Sequence, residues 1–203
     1  ENNYPFLVED INFKKIRNNL KTGQTVIIGA TRKDDEKFFN TLFNISRNEI
    51  QFFDKKVLVP FGEFLPLRNL FGFLDFISGP TDYSKGNKER VIKLNKNLNY
   101  VPVICYEIIF YWKLINEINF DSDMIINITN DIWFGKYLGP YQHFYISKLR
   151  SVEFNKPLIR VSNNGISGII NQNGKILVNT NLNETKSIKH KITIDNKKNF
   201  YNT

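Results

Sequence analysis

Among the residues able to do covalent chemistry, the thiol is the rarest here. The chain holds one cysteine, Cys105, in the stretch VICYE (103–107), with Glu107 two places on. A lone thiol ending an apolar run has two readings. Free cysteine is among the most buried residue types and often only fills space. At the C-terminal end of a buried strand it can instead face the crevice where layered α/β folds bind ligands, and a thiolate there is a strong nucleophile. Acyl transfer through such a thiolate also needs a base and donors for the developing oxyanion. Of the histidines, His190 lies in a polar stretch near the end, and His143 has no evident link to Cys105 in sequence. A carboxylate whose pKa burial raises is the other candidate base.

Two further stretches carry suitable groups. DKKVLVPFGEFLP (54–66) places Lys55 and Glu63 on either side of a strand end and a Pro-Phe-Gly turn. Charges flanking an apolar run are ordinarily a solvated rim, so this stretch decides nothing alone. NITNDIWFGKYLGPYQHF (127–144) gathers Asn130, Asp131, Trp133, two glycines and His143 in a loop after a buried strand. Loops at strand ends carry function often. The plain alternative is a glycine-rich turn plugged by Trp133 and Phe134.

The elements that must position these groups follow from periodicity. Strands are expected at 25–31, 49–60, 90–95, 100–107, 122–129, 157–163, 167–172 and 187–194, from β-branched or alternating runs bounded by turn residues. Helical spacing covers 8–22, 107–119 and 141–155. Strands and helices alternate early, and the last third is rich in strands. This predicts an α/β (α+β layered) fold with a mixed sheet. The unbroken apolar runs Val101–Cys105 and Met124–Ile128 predict strands buried on both faces.

Composition bounds the function classes. With 203 residues the chain predicts a single domain, 1–203, able to bury a core without disulfide or metal. The net charge of +8 comes from scattered lysines in a chain with a single alanine, which points to compositional bias and not to a nucleic-acid surface. No signal-peptide pattern is present, and no apolar run nears the ~20 residues of a membrane-spanning helix. The chain begins Glu1-Asn2-Asn3; without an initial Met, it is expected to be part of a longer protein.

Four stretches in order carry a family likeness. They are Lys55 with Leu58-Val59-Pro60-Phe61-Gly62-Glu63; Ile104-Cys105-Tyr106-Glu107; Asn130-Asp131, Trp133-Phe134-Gly135, Gly139-Pro140 and Gln142-His143; and Arg150, Glu153, Arg160, Asn163 and Gly165. Together they resemble the nitrilase (carbon–nitrogen hydrolase) superfamily, and within it the apolipoprotein N-acyltransferase branch, over residues from about 25 to 178. Val57 stands where that branch usually has His.

The resemblance implies a four-layer α-β-β-α sandwich, here lacking its first strand and a membrane portion. It also implies a Glu-Lys-Cys triad. Cys105 would be the nucleophile and Lys55 the oxyanion donor. Glu1, with Pro5 four residues on, would be the general base. Glu63, Glu107, Tyr106, Asn130 and Trp133 would support them. The implied reaction moves a fatty acyl chain from a phospholipid through a cysteine thioester to the N-terminal amine of a diacylglyceryl-cysteine lipoprotein, with no metal or organic cofactor and no nucleic-acid partner. The implied setting is the bacterial inner membrane, reached through transmembrane segments absent from this chain, with the catalytic domain facing the periplasm. FLPLRNLFGFLDF (64–76) would be an acyl-chain groove or a lid against the membrane. The alternatives are a soluble nitrilase-type amidohydrolase with water as acceptor, or an inactive fragment.

Overall fold

In the computed structural model, the described residues are 10–66, 82–117 and 121–194. They fall into two compact units, one up to Lys88 and one from Glu89 onward.

The first unit is built on an antiparallel sheet of order β1-β2-β3: β1 Thr25–Asp34, β2 Lys37–Ser46 and β3 Ile50–Asp54. Helix α1, Asp10–Asn19, lays Phe13 against Phe43 with ring centroids 4.9 Å apart. Alternation along β2 puts Phe43 and Ile45 into that core with Ala30 of β1. β2 was not expected from the sequence, because FFNTLFNIS mixes asparagines into its apolar run. It is nonetheless buried along nearly its whole length, with Asn40, Thr41 and Asn44 hidden beside the aromatics. Thr41 donates to Asp54 at 2.5 Å, while Arg32 grips the same carboxylate at 3.1 and 2.8 Å.

The second unit carries a six-stranded mixed sheet of order β4-β5-β6-β7-β8-β9. Its strands are β4 Ile92–Lys93, β5 Asn99–Ile104, β6 Met124–Thr129, β7 Leu158–Ser162, β8 Gly168–Ile170 and β9 Ile176–Asn179. β5, β6 and β7 run parallel and the outer pairs run antiparallel. The links between the parallel strands are crossovers: a 3-10 turn at Cys105–Ile109 and helix α2, Tyr111–Glu117, then a 3-10 turn at Asp131–Phe134 and helix α3, Leu138–Glu153. The α/β class and the mixed sheet are as the sequence predicts. So is the double-sided burial of the central strands: Val101–Ile104 and all of β6 are buried. Val101, Ile125 and Leu158, level with one another across the sheet, pack with Phe144 and Phe154 of the α3 segment.

Several element expectations are corrected. The strand at 49–60 stops at Asp54, and the one at 100–107 stops at Ile104, where Cys105 takes a φ of 51° and turns the chain away. The helix at 107–119 breaks at Phe110 into the 3-10 turn and α2, its last residues lying outside the described ones. The stretch 187–194 forms no strand. Its alternation places Ile188, Ile192 and Ile194 half-buried, but no neighbour among the described residues pairs with it. Periodicity specifies which face is apolar; it cannot supply a hydrogen-bonding partner. No helix among the described residues is long and apolar enough to cross a membrane.

Candidate active site

The C-terminal ends of three adjacent parallel strands bring together the groups that the second unit contributes. Cys105 follows β5, Asn130 and Asp131 follow β6, and Asn163 to Gly165 follow β7. This is the edge at which α/β sheets hold ligands.

Cys105 is buried and sits in the left-handed backbone region. For a residue bearing a Cβ that conformation costs about 1–2 kcal/mol, so its surroundings must hold it there. Glu107 does much of this. Its Oε2 accepts from the Ile104 N–H at 2.9 Å, closing the turn over the cysteine. The same carboxylate takes both ends of the Arg90 guanidinium, at 2.9 and 3.0 Å. Arg90 also donates to the Pro102 carbonyl at 3.0 Å and to Glu117 at 2.9 Å. Burial pushes Arg90 towards its neutral form, but the charges of Glu107 and Glu117 outweigh this and raise its pKa. Arg90 opens the stretch 90–95 expected as a strand but belongs to none of the stretches singled out for chemistry; nothing local marks it, because its partners lie 12 to 27 residues away.

A second buried network lies under α3, on the sheet face that carries Val103. The register aligns Val103, Asn127 and Arg160 side by side across β5, β6 and β7. Asn127 donates to the Val103 carbonyl at 3.1 Å and accepts from Arg160 Nη1 at 2.5 Å. Arg160 Nη1 also reaches Ser147 Oγ at 3.1 Å, and Nη2 donates to Asp131 Oδ2 at 2.7 Å. Asp131 Oδ1 accepts from Thr129 at 3.1 Å and lies 2.8 Å from His143 Nδ1. An ionised carboxylate only accepts, so Nδ1 carries the proton, and Arg160 Nη2 at 3.0 Å is a second donor beside it and not its bond partner. His143 Nε2 is buried, with the Cys105 backbone beside the imidazole.

The electrostatics follow from this packing. Burial alone would raise the Asp131 carboxyl, but the His143 hydrogen bond and the Arg160 charge hold it well below the usual carboxylate range. Burial lowers His143; its bond to Asp131 opposes this, while the Arg160 charge adds to it. The imidazole is therefore neutral near pH 7. Its ring stands 5.9 Å from Tyr106 and 5.1 Å from Phe134, and Tyr106 stacks on Phe134 at 5.8 Å. The connection between His143 and the cysteine turn, invisible in sequence, thus runs through Tyr106 and through the Cys105 backbone itself. Gly165 is required where it is: a Cβ there would overlap the Asp131 carboxylate.

Asn130 caps the 3-10 turn, its Oδ1 accepting from Ile132 N at 3.2 Å. Trp133 is 73% exposed, so it plugs nothing; Phe134 alone packs inward. Ile132, Tyr137 and Leu138 are exposed beside it.

Within the first unit, Lys55 is 1% exposed and pairs with Glu63 at 2.8 Å. Glu63 also accepts from Val59 N at 2.9 Å and from Asn40 Nδ2 at 2.7 Å. The Lys55 backbone is fixed at both ends, its N–H on the Asn40 carbonyl and its carbonyl accepting from Gly86. The Pro-Phe-Gly turn between them holds Phe61 at φ 64°. Glu1, and most of the apolar stretch 64–76, lie outside the described residues. Among the described residues no cluster has the makings of a metal site.

The chain is 40% identical over 184 residues to an apolipoprotein N-acyltransferase of Rickettsia prowazekii, covering 86% of this chain and 36% of the relative. With the Rickettsia typhi protein of the same name it is 43% identical over 167 residues, 79% of this chain and 33% of the relative. The chain therefore spans about a third of the length of these curated relatives. The structure of Saccharomyces cerevisiae Nit3, a nitrilase-superfamily member, superposes with a TM-score of 0.62 at 16% identity, covering 88% of this chain and 65% of that one. At that identity the likeness speaks for the fold. The family model for carbon-nitrogen hydrolase matches residues 12–198, and the chain belongs to that family.

Proposed function

We propose that this chain is the catalytic part of an acyltransferase that completes lipoprotein acylation. Glu1 takes the Cys105 proton. The thiolate attacks the ester carbonyl of a phospholipid, and the Lys55 ammonium stabilises the resulting oxyanion. Collapse breaks the ester C–O bond, and the leaving lysophospholipid oxygen takes the proton from Glu1. The N-terminal amine of a diacylglyceryl-cysteine lipoprotein then attacks the thioester. It gives its proton to Glu1 and displaces the thiolate. The thioester reacts readily with amines and survives where water is excluded. In this reading Glu63 orients Lys55, while Glu107 and Tyr106 hold the cysteine turn. Asn130 caps the following loop, and Trp133 meets lipid. The whole protein works at the bacterial inner membrane with this part facing the periplasm.

The observation that carries the reading is Cys105 itself, a buried thiol in a left-handed turn at the C-terminal end of a parallel strand, pinned by Glu107 and Arg90. A cysteine that merely filled the core would need no such backbone. The named relatives and the exposed apolar side chains of Ile132, Trp133, Tyr137 and Leu138 support a lipid substrate over a small amide.

The test is Cys105→Ser in the full-length protein, given phospholipid vesicles and an acceptor lipopeptide. The wild type should accumulate an acylated Cys105 peptide, detected by mass spectrometry, when acceptor is withheld; the variant should form no acyl-enzyme and no product. Retained transfer overturns the reading. Ammonia release from small amides without an acyl-enzyme would replace it with an amidohydrolase.

A further inference from the structure

Arg90 holds the chain on both sides of Cys105. Its side chain is wholly buried. Nη1 donates to the Pro102 carbonyl at 3.0 Å and to Glu107 Oε2 at 2.9 Å. Nη2 donates to Glu107 Oε1 at 3.0 Å. Glu107 Oε2 in turn accepts from the Ile104 N–H at 2.9 Å. Residues 102 to 107 therefore close on one guanidinium nitrogen, with Cys105 between the two anchor points. The place is open to a side chain because β4 pairs only with Asn99 and Tyr100. Beyond them, that side of β5 has no strand neighbour among the described residues, and the arginine supplies a donor to it. Nε reaches Glu117 of α2 at 2.9 Å, so the helix that follows the turn is tied to the same group.

Stability does not call for this arrangement. Apolar side chains of similar volume serve a core at least as well as a buried ion pair. What the pair supplies is geometry. A guanidinium and a carboxylate in fork contact fix each other's plane and distance. That geometry bears on Cys105, whose left-handed backbone persists only where its surroundings impose it. We propose that Arg90 is a positioning residue for the transfer reaction: by clamping Pro102 and Glu107, it holds Cys105 in the left-handed turn from which the thiol attacks. It acts through Glu107 and the backbone, so it governs the rate of acylation and not the binding of phospholipid. The inference rests on Cys105 being the nucleophile.

The experiment compares melting with single-turnover acylation of Cys105 in the full-length protein. Phospholipid vesicles are supplied, acceptor is withheld, and the acylated Cys105 peptide is followed by mass spectrometry. Arg90→Met combined with Glu107→Leu leaves no stranded charge and should melt close to the wild type. It should nonetheless acylate roughly 10–10²-fold more slowly, as misplaced reacting groups do, at an unchanged half-saturating phospholipid concentration. A clamp that served stability alone would return the rate along with the melting temperature. Arg90→Lys keeps the charge without the fork and should be slowed as well. A double variant that acylates at the wild-type rate overturns the proposal and leaves the nucleophile assignment standing. So does full activity in Arg90→Lys, which would make charge and not geometry the requirement. So does a raised half-saturating concentration with an unchanged limiting rate. If the double variant does not fold, Arg90→Lys decides alone. If the wild type forms no acyl-enzyme at Cys105, the catalytic reading fails and the proposal falls with it.

Discussion

Replacing Glu107 with Gln should destabilise the protein by about 3 kcal/mol, a figure that comes from its partners. The carboxylate is fully buried and receives three hydrogen bonds, two from Arg90 and one from the Ile104 backbone. An amide of the same shape keeps one acceptor oxygen and turns a donating NH2 towards a guanidinium or a backbone N–H. Removing one partner of a buried pair costs roughly 3–5 kcal/mol because the other charge is left stranded. Arg90 retains Glu117 and the Pro102 carbonyl, which puts the loss at the lower end. For a chain of 203 residues each kcal/mol shifts the melting temperature by about 2–4 °C, so Glu107→Gln should melt roughly 6–12 °C below the wild type by circular dichroism. The penalty belongs to the stranded charge, so Arg90→Met with Glu107→Leu should recover most of it. A loss under about 2 °C, or a double variant no more stable than Glu107→Gln, would refute this account of how the cysteine turn is held.

Other outcomes follow from the same contacts. On the proposed role of Lys55 as oxyanion donor, Lys55→Ala should lower kcat by roughly 10²–10³ in acyl-transfer assays of the full-length protein while it remains folded. Gly165→Ala forces the Asp131 carboxylate or Ser162 aside; it should cost roughly 1–3 kcal/mol in urea denaturation. Lys156 is buried against the Ser122 carbonyl, and burial lowers its pKa to about 8 despite Asp123 and Asp121 nearby. The unfolded chain then binds more protons between that value and the ordinary lysine range, so stability should rise as pH climbs from about 8 to about 10. Lys156→Met should raise the urea midpoint at pH 7 and abolish that rise.

The candidate site stretches and their order along the chain were legible in the sequence by itself. Short local patterns encode strand, turn and loop. A thiol after a β-branched run, a lysine before Pro-Phe-Gly, and a loop rich in asparagine, aromatics and glycine are all visible over a dozen residues. The α/β class followed from alternating periods for the same reason. What needed the tertiary structure was everything set by partners far away in the chain. β2 hides its asparagines in a core, which only their distant partners make tolerable; Asn40, for one, meets Glu63. The alternating stretch at 187–194 finds no strand to pair with among the described residues. Arg90 is indistinguishable from a surface arginine until it meets Glu107 and Glu117. His143 gains its link to the cysteine turn only when α3 sets it between Asp131 and Tyr106. Buried charge is decided by three-dimensional neighbours, since a lone ion inside a protein is too costly to keep, and one-dimensional spacing carries no record of which neighbours those will be.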